Sequence, residues 1–225
     1  GVFPILQMPF NEAGQILFDD LKSEVEYAIR AGAHGVGIAY GSEINKLDDH
    51  ERDQVLSTVV DQANGRIKVV MNTGAPSTVQ TIHYTRAAKV LGADAVMIAP
   101  PGIAGIPTPL VRQHFVEVAE STEIPIYMQD MTGAGMTPAL LADLSLAHEN
   151  LCYAKIETLP TPNRFSETAE LAGEKLSMFG GANGVFFIEE LRRGAVGTMQ
   201  GIALCDIVRK TWDAFQAGDE IAAES

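Results

Sequence analysis

The chain has 225 residues, 46% of them hydrophobic and 20% charged, which is enough to bury one large core and fits a single domain over residues 1–225. Sixteen basic residues against twenty-nine acidic ones give a net charge of −13, a balance that repels phosphate backbones and anionic membranes, so no nucleic acid or membrane partner is expected. The two cysteines, Cys152 and Cys205, each sit inside an apolar segment, and no charged leader or bilayer-length apolar run is evident; these features argue for a cytoplasmic protein without a disulfide framework.

From the N-terminus, short β-branched runs alternate with longer segments of helical periodicity. The candidate strands are "VFPIL", "GVGIAY", "IKVVMN", "AVMIAP", "IPIYMQ", "CYAKIE", "SMFGG" and "AVGTMQ". Between them lie amphipathic segments such as "FDDLKSEVEYAIRAG", "DDHERDQVLSTVVDQANG" and "TPALLADLSLAHEN", several opening on Asp, Ser or Thr caps and several closing on Gly. Eight such units predict an α/β fold, a parallel eight-stranded (β/α)8 barrel. An open doubly wound sheet is the alternative, but no "GxGxxG" follows the first strand. The chain starts directly in a strand-like run and ends in "GDEIAAES", the first turn of a further helix; a C-terminal helical extension is therefore expected to be missing.

In such barrels the chemistry gathers at the C-terminal ends of the strands. The sixth candidate strand, "LCYAKIET", carries Lys155 in an otherwise apolar run, with Glu157 and Thr158 at its mouth. A lysine stripped of water can present a neutral amine to a carbonyl and form a Schiff base; the competing reading is a structural ion pair with Glu157. The second strand ends in "AYGSE", where Tyr40, Gly41 and Ser42 could cradle a carboxylate, although an ordinary turn before an Asp48 helix cap would read the same. On the fifth strand Tyr127 and Gln129, two apart, should share a face and could relay protons or fill a core layer. "GGANG", beginning at Gly180, and "GTMQG", beginning at Gly197, could bring amides to the rim, where barrels often bind phosphate, or could be tight turns. The five histidines lack metal-site spacing, so no metal is expected, and no "GxSxG" elbow or P-loop is present.

Taken together, "MPFNEAGQILFDDL", "AYGSEINKLDDHER", "GAPSTVQTIHYTRAAKVLGADAVMIAPP", "NLCYAKIET" and "GAVGTMQG" resemble the dihydrodipicolinate synthase and N-acetylneuraminate lyase family along essentially the whole chain. The resemblance implies a lyase that needs no cofactor beyond a covalent Schiff base, with Lys155 as the nucleophile toward pyruvate or another small-molecule 2-oxo acid. It implies Gly41 and Ser42 at the carboxylate, with "AYGSE" standing where the family has "GTTGE". Gln129 falls where the family carries a relay tyrosine, with Tyr127 in its place if the register slips by two. The arginine that dihydrodipicolinate synthases carry just beyond is absent, and "PPGIAG" replaces a tyrosine-bearing loop. These departures argue against dihydrodipicolinate synthesis itself, and the "MQD" and "GSE" variants resemble the branch of 2-keto-3-deoxy sugar acid dehydratases. A pyruvate-dependent aldolase is the alternative within the family, and a phosphate-substrate barrel or a non-catalytic oxo-acid-binding barrel the alternative outside it. Homo-oligomers, dimers or tetramers, are a further implication.

Overall fold

Side-chain caps decide where several helices begin. Asp48 accepts from the Glu51 amide at 2.8 Å while Glu51 accepts from the Asp48 amide at 3.0 Å, and Thr137 caps its helix through the Leu140 amide at 3.1 Å. The computed structural model describes residues 1–101 and 105–224. In chain order these hold α1 (Phe18–Arg30), β1 (Gly35–Ile38), α2 (Asp49–Ala63), β2 (Lys68–Asn72), α3 (Thr78–Val90), β3 (Ala95–Ile98), α4 (Thr108–Glu120) and β4 (Ile126–Asp130). They continue with α5 (Pro138–Ala147), β5 (Tyr153–Ile156), α6 (Thr161–Ala172), β6 (Ser177–Gly180), α7 (Phe187–Leu191), β7 (Gly197–Thr198), α8 (Cys205–Gln216) and α9 (Glu220–Glu224). The strands are parallel and ordered β1 to β7 in one sheet, each joined to the next through a helix, the barrel-like arrangement that the alternation of periods predicts.

The structure corrects the expected strand count: among the described residues the sheet has seven strands, and "VFPIL" is not one of them. That segment instead makes isolated parallel bridges, Val2 to Thr198 and Ile5 to both Gly37 and Gly201. Its amides at Phe3 and Ile5 donate to Thr198 and Gln200 at 2.9 and 2.7 Å, and on its other side Leu6 donates to Gly37 at 2.9 Å. The two edges of the sheet thus meet across it. Pro4 explains the broken ladder, since it has no N–H to donate. Part of the "PPGIAG" loop, residues 102–104, lies outside the described residues. No helix among the described residues is long and apolar enough to cross a membrane.

Strand periodicity divides the core in two. One set, including Ile126, Met128, Ala154, Ile156 and Met178, packs outward against the helices with Phe115 and Phe165, which are fully buried. The other set fills the interior of the sheet: Ile5, Ala39, Val70, Ala95, Met97, Tyr127, Phe179 and Met199, with Phe3 and Tyr153 against them. Tyr127 stacks on Tyr153 at 4.5 Å and 15°, and Phe179 meets Tyr127 edge-on at 5.2 Å. This aromatic layer lies directly beneath the site, because Tyr127 and Tyr153 pair in register two residues before Gln129 and Lys155 do.

Candidate active site

The parallel register places Gln129 on β4 beside Lys155 on β5, and both point inward because they follow the inward Tyr127 and Tyr153 by two. One residue beyond the strand, the Glu157 amide donates to the Asp130 carbonyl at 2.9 Å, which extends the β4–β5 pairing and turns the Glu157 side chain inward as well. Lys155 is 5% exposed. Its Nζ lies 3.0 Å from Glu157 Oε1, and Gln129 Nε2 donates to Glu157 Oε2 at 2.6 Å. One carboxylate therefore bridges the buried amine and the amide, and both of its oxygens are engaged. Gln129 Oε1 is buried without a partner among the described residues.

These three side chains line a cleft of about 370 Å³ together with Ile5, Gln7, Tyr40, Gly41, Asn183 and Met199. Gly181 lies against Glu157; a Cβ on Gly181 would overlap the Glu157 side chain, so the second glycine of "GGANG" makes room for the carboxylate. Beside it, Asp130 is buried and held by Arg164 through Nε at 3.0 Å and Nη2 at 2.8 Å, and by the Thr158 hydroxyl at 2.7 Å. This bidentate pair fixes the end of β4 to α6, and with it the backbone next to Gln129.

The turn after β1 is a 3-10 segment, Tyr40–Ser42. Its own hydrogen bonds run from the Ser42 amide to Ala39 and from the Glu43 amide to Tyr40, each 2.9 Å, leaving the Tyr40 and Gly41 amides outside the turn. Burial raises the Tyr40 phenol above its ordinary range, and Arg52 opposes that rise. Ser42 is placed differently from the expectation that its hydroxyl faces a ligand. It is fully buried, donates to the Leu6 carbonyl at 2.5 Å and accepts from the Ala39 amide at 3.1 Å. Its hydroxyl ties the turn to the N-terminal segment.

Three further expectations land away from the cleft. Tyr127 belongs to the aromatic layer below, where burial holds its phenol protonated far above the ordinary range. Gly180 faces outward, and a Cβ there would overlap the Glu190 carboxylate; Gly197 stands at the opposite end of β7, where a Cβ would overlap the Gly1 backbone. Both glycines permit close approach, which a sequence cannot distinguish from amides offered at a rim. Glu190 itself is fully buried behind β6, accepts from the Thr161 hydroxyl at 2.5 Å through Oε1, and has no partner for Oε2 among the described residues. Burial pushes its carboxyl up to about 7, against the Thr161 bond.

Sequence reasoning passed over Gln7, Asn183 and Met199. Asn183 had a signal inside "GGANG", because asparagine tolerates the left-handed backbone. Its φ is 55°, its Oδ1 accepts from the Gly201 amide at 2.9 Å, and the residue lines the cleft. Gln7 and Met199 follow elements whose inward phase only the assembled sheet reveals. Among the described residues no group of three His, Cys, Asp or Glu side chains is arranged to hold a metal ion.

The sequence pattern of the dihydrodipicolinate synthetase family matches residues 1–225. The chain is 29% identical over 225 residues to an L-2-keto-3-deoxyarabonate dehydratase of Azospirillum brasilense, a match covering 97% of this chain and 73% of that protein. It is 33% identical over 230 residues to a 4-hydroxy-tetrahydrodipicolinate synthase of Geobacter metallireducens, covering 97% of this chain and 76% of that one. The fold is similar to the crystal structure of a chloride-inhibited dihydrodipicolinate synthase from Acinetobacter baumannii complexed with pyruvate: the TM-score is 0.91 at 25% identity, over 99% of this chain and 78% of that one.

Proposed function

Because the chain belongs to the dihydrodipicolinate synthetase family, a family of lyases, we propose that it is a Schiff-base-forming lyase acting on a 2-oxo acid, and specifically a dehydratase of a 2-keto-3-deoxy sugar acid. The observation that carries this reading is the bridge from Lys155 Nζ through the Glu157 carboxylate to Gln129. Glu157 is placed to take a proton from the lysine ammonium, freeing the amine to attack C2 of the oxo acid. Glu157 gives that proton to the hydroxyl of the adduct as water leaves, which yields the protonated imine and restores the carboxylate. Glu157 next removes a C3 proton; the electron pair moves into the C2–C3 bond and is drained by the imine nitrogen. It then returns that proton to the C4 hydroxyl as the C4–O bond breaks and a second water leaves; hydrolysis of the product imine takes one water back and frees Lys155, so the net loss is one water. Gln129 orients the carboxylate through Nε2, and its unpartnered Oε1 is available to a substrate hydroxyl. The Tyr40 and Gly41 amides receive the substrate carboxylate. In this scheme no metal or organic cofactor takes part.

The sequence relatives favour this assignment in part. A dehydratase and a synthase stand among them at similar identity, and Gln129 stands where the synthase resemblance calls for a tyrosine. Borohydride reduction in the presence of pyruvate should leave a pyruvyl adduct on Lys155 by peptide mass spectrometry, absent in Lys155→Ala; a folded protein with no adduct from any oxo acid removes the Schiff-base reading. Incubation with a 2-keto-3-deoxy sugar acid should then give a new oxo acid and no pyruvate. Release of pyruvate instead assigns the aldolase chemistry.

A further inference from the structure

Arg52, in the first turns of α2, is 5% exposed, yet it makes no ion pair among the described residues. Its guanidinium is held by neutral groups: Nη1 donates to the Ile44 carbonyl at 3.0 Å, Nη2 donates to the Asn72 carbonyl at 2.9 Å, and Cζ lies 4.3 Å from the centre of the Tyr84 ring. Asp49 is engaged elsewhere, accepting from the Tyr84 hydroxyl at 2.7 Å. Desolvation lowers the Arg52 pKa from its ordinary value, opposed by Tyr84, Asp49, Tyr40 and Asp53. A buried cation balanced mainly by carbonyl dipoles is costly to a protein that gains nothing else from it.

The two carbonyls show where the charge acts. Ile44 opens the short 3-10 turn Ile44–Lys46, which is joined to Tyr40–Ser42 by the single residue Glu43, and Asn72 ends β2. Arg52 thus fastens the back of the 40–46 segment to the sheet, while the front of that segment, Tyr40 and Gly41, lines the cleft. The fork of a guanidinium spans two acceptors in a way that a single ammonium cannot. Arg52 is also the charge that opposes the rise of the Tyr40 phenol. A positive charge buried behind a protein wall is little screened by salt and acts on an anion bound in front of that wall.

We propose that Arg52 is a positioning residue for the substrate carboxylate: it holds the 40–46 segment in place and supplies the buried positive charge behind the amides of Tyr40 and Gly41. This rests on the reading that those amides receive the carboxylate, and it adds the group that makes the turn selective for an anion. The role predicts discrimination between a charged ligand and its uncharged counterpart, which a purely structural residue does not influence.

The test compares borohydride trapping of pyruvate and of pyruvamide across ligand concentration, in wild type, Arg52→Gln and Arg52→Lys, with melting curves to establish folding. Wild type should favour pyruvate. Arg52→Gln should lose about tenfold or more in apparent affinity for pyruvate while pyruvamide weakens much less. Arg52→Lys should weaken both ligands and keep their ratio, because the charge stays and the fork is lost. A folded Arg52→Gln that binds both ligands as wild type does, or weakens both in equal proportion, overturns the proposal. If Arg52→Gln does not fold, Arg52→Lys decides, and unchanged trapping of both ligands overturns it. Wild type that traps neither ligand removes the Schiff-base reading and this inference with it, whereas wild-type trapping with indifferent variants removes this inference alone.

Discussion

Replacing Glu190 by Gln tests the energetics of the layer behind β6. Burial raises this carboxyl from 4.5 to about 7. Because the folded value lies above the unfolded one, the folded protein holds the extra proton between them. Stability from this group is therefore fully present below about 4.5 and is lost as pH rises through about 7. A shift of that size corresponds to about 3 kcal/mol at 1.36 kcal/mol per pH unit. Glu190→Gln keeps an oxygen for the Thr161 hydroxyl, cannot ionise, and places a neutral amide where Oε2 lacks a partner. Urea denaturation from pH 5 to pH 8 should show wild type losing stability relative to the variant, with the variant the more stable protein by about 2–3 kcal/mol at pH 8. Parallel curves for the two proteins over that range would refute the reasoning, since they would mean that Glu190 titrates alike in both states.

Glu157→Gln should lower kcat by about 100-fold or more while pyruvate trapping at Lys155 persists on long incubation, because the proton carrier is lost and the nucleophile remains; undiminished turnover would assign the proton transfers elsewhere. Gly181→Ala, whose Cβ overlaps the Glu157 side chain, should reduce activity with little change in melting temperature, and full activity would show that Glu157 can move without consequence. Ser42→Ala removes the hydroxyl between Leu6 and Ala39 and should cost about 1–3 kcal/mol in denaturation, with a raised KM for the oxo acid. Asp130→Ala leaves Arg164 half-buried without its partner and should destabilise by about 2 kcal/mol or more while slowing turnover through the β4 end.

The helices and strands were legible wherever a local rule sufficed. Asp48 and Thr137 announce their caps by residue type, and Lys155 stood out because a charge in an apolar strand demands a reason. The inward phase of Gln129 follows from its distance to Tyr127, but which of the two enters the cleft depends on how deep the aromatic layer lies, and that depth is set by Tyr153 and Phe179 on neighbouring strands. Ser42 was misplaced because its acceptor, the Leu6 carbonyl, lies 36 residues away in sequence. Gly180 and Gly197 illustrate a deeper limit: a missing side chain signals close approach without naming what approaches, here the Glu190 carboxylate and the chain's own first residue. The expected first strand failed at Pro4, where one absent N–H outweighed the β-branched composition around it.

The stacked tyrosines and Phe179 give the cleft a floor. Packed rings lie beneath the Lys155 amine, and the cleft opens above it between Gln7, Tyr40, Gly41 and Asn183. The depth of that floor therefore sets how far Lys155 and Gln129 stand above the packed interior.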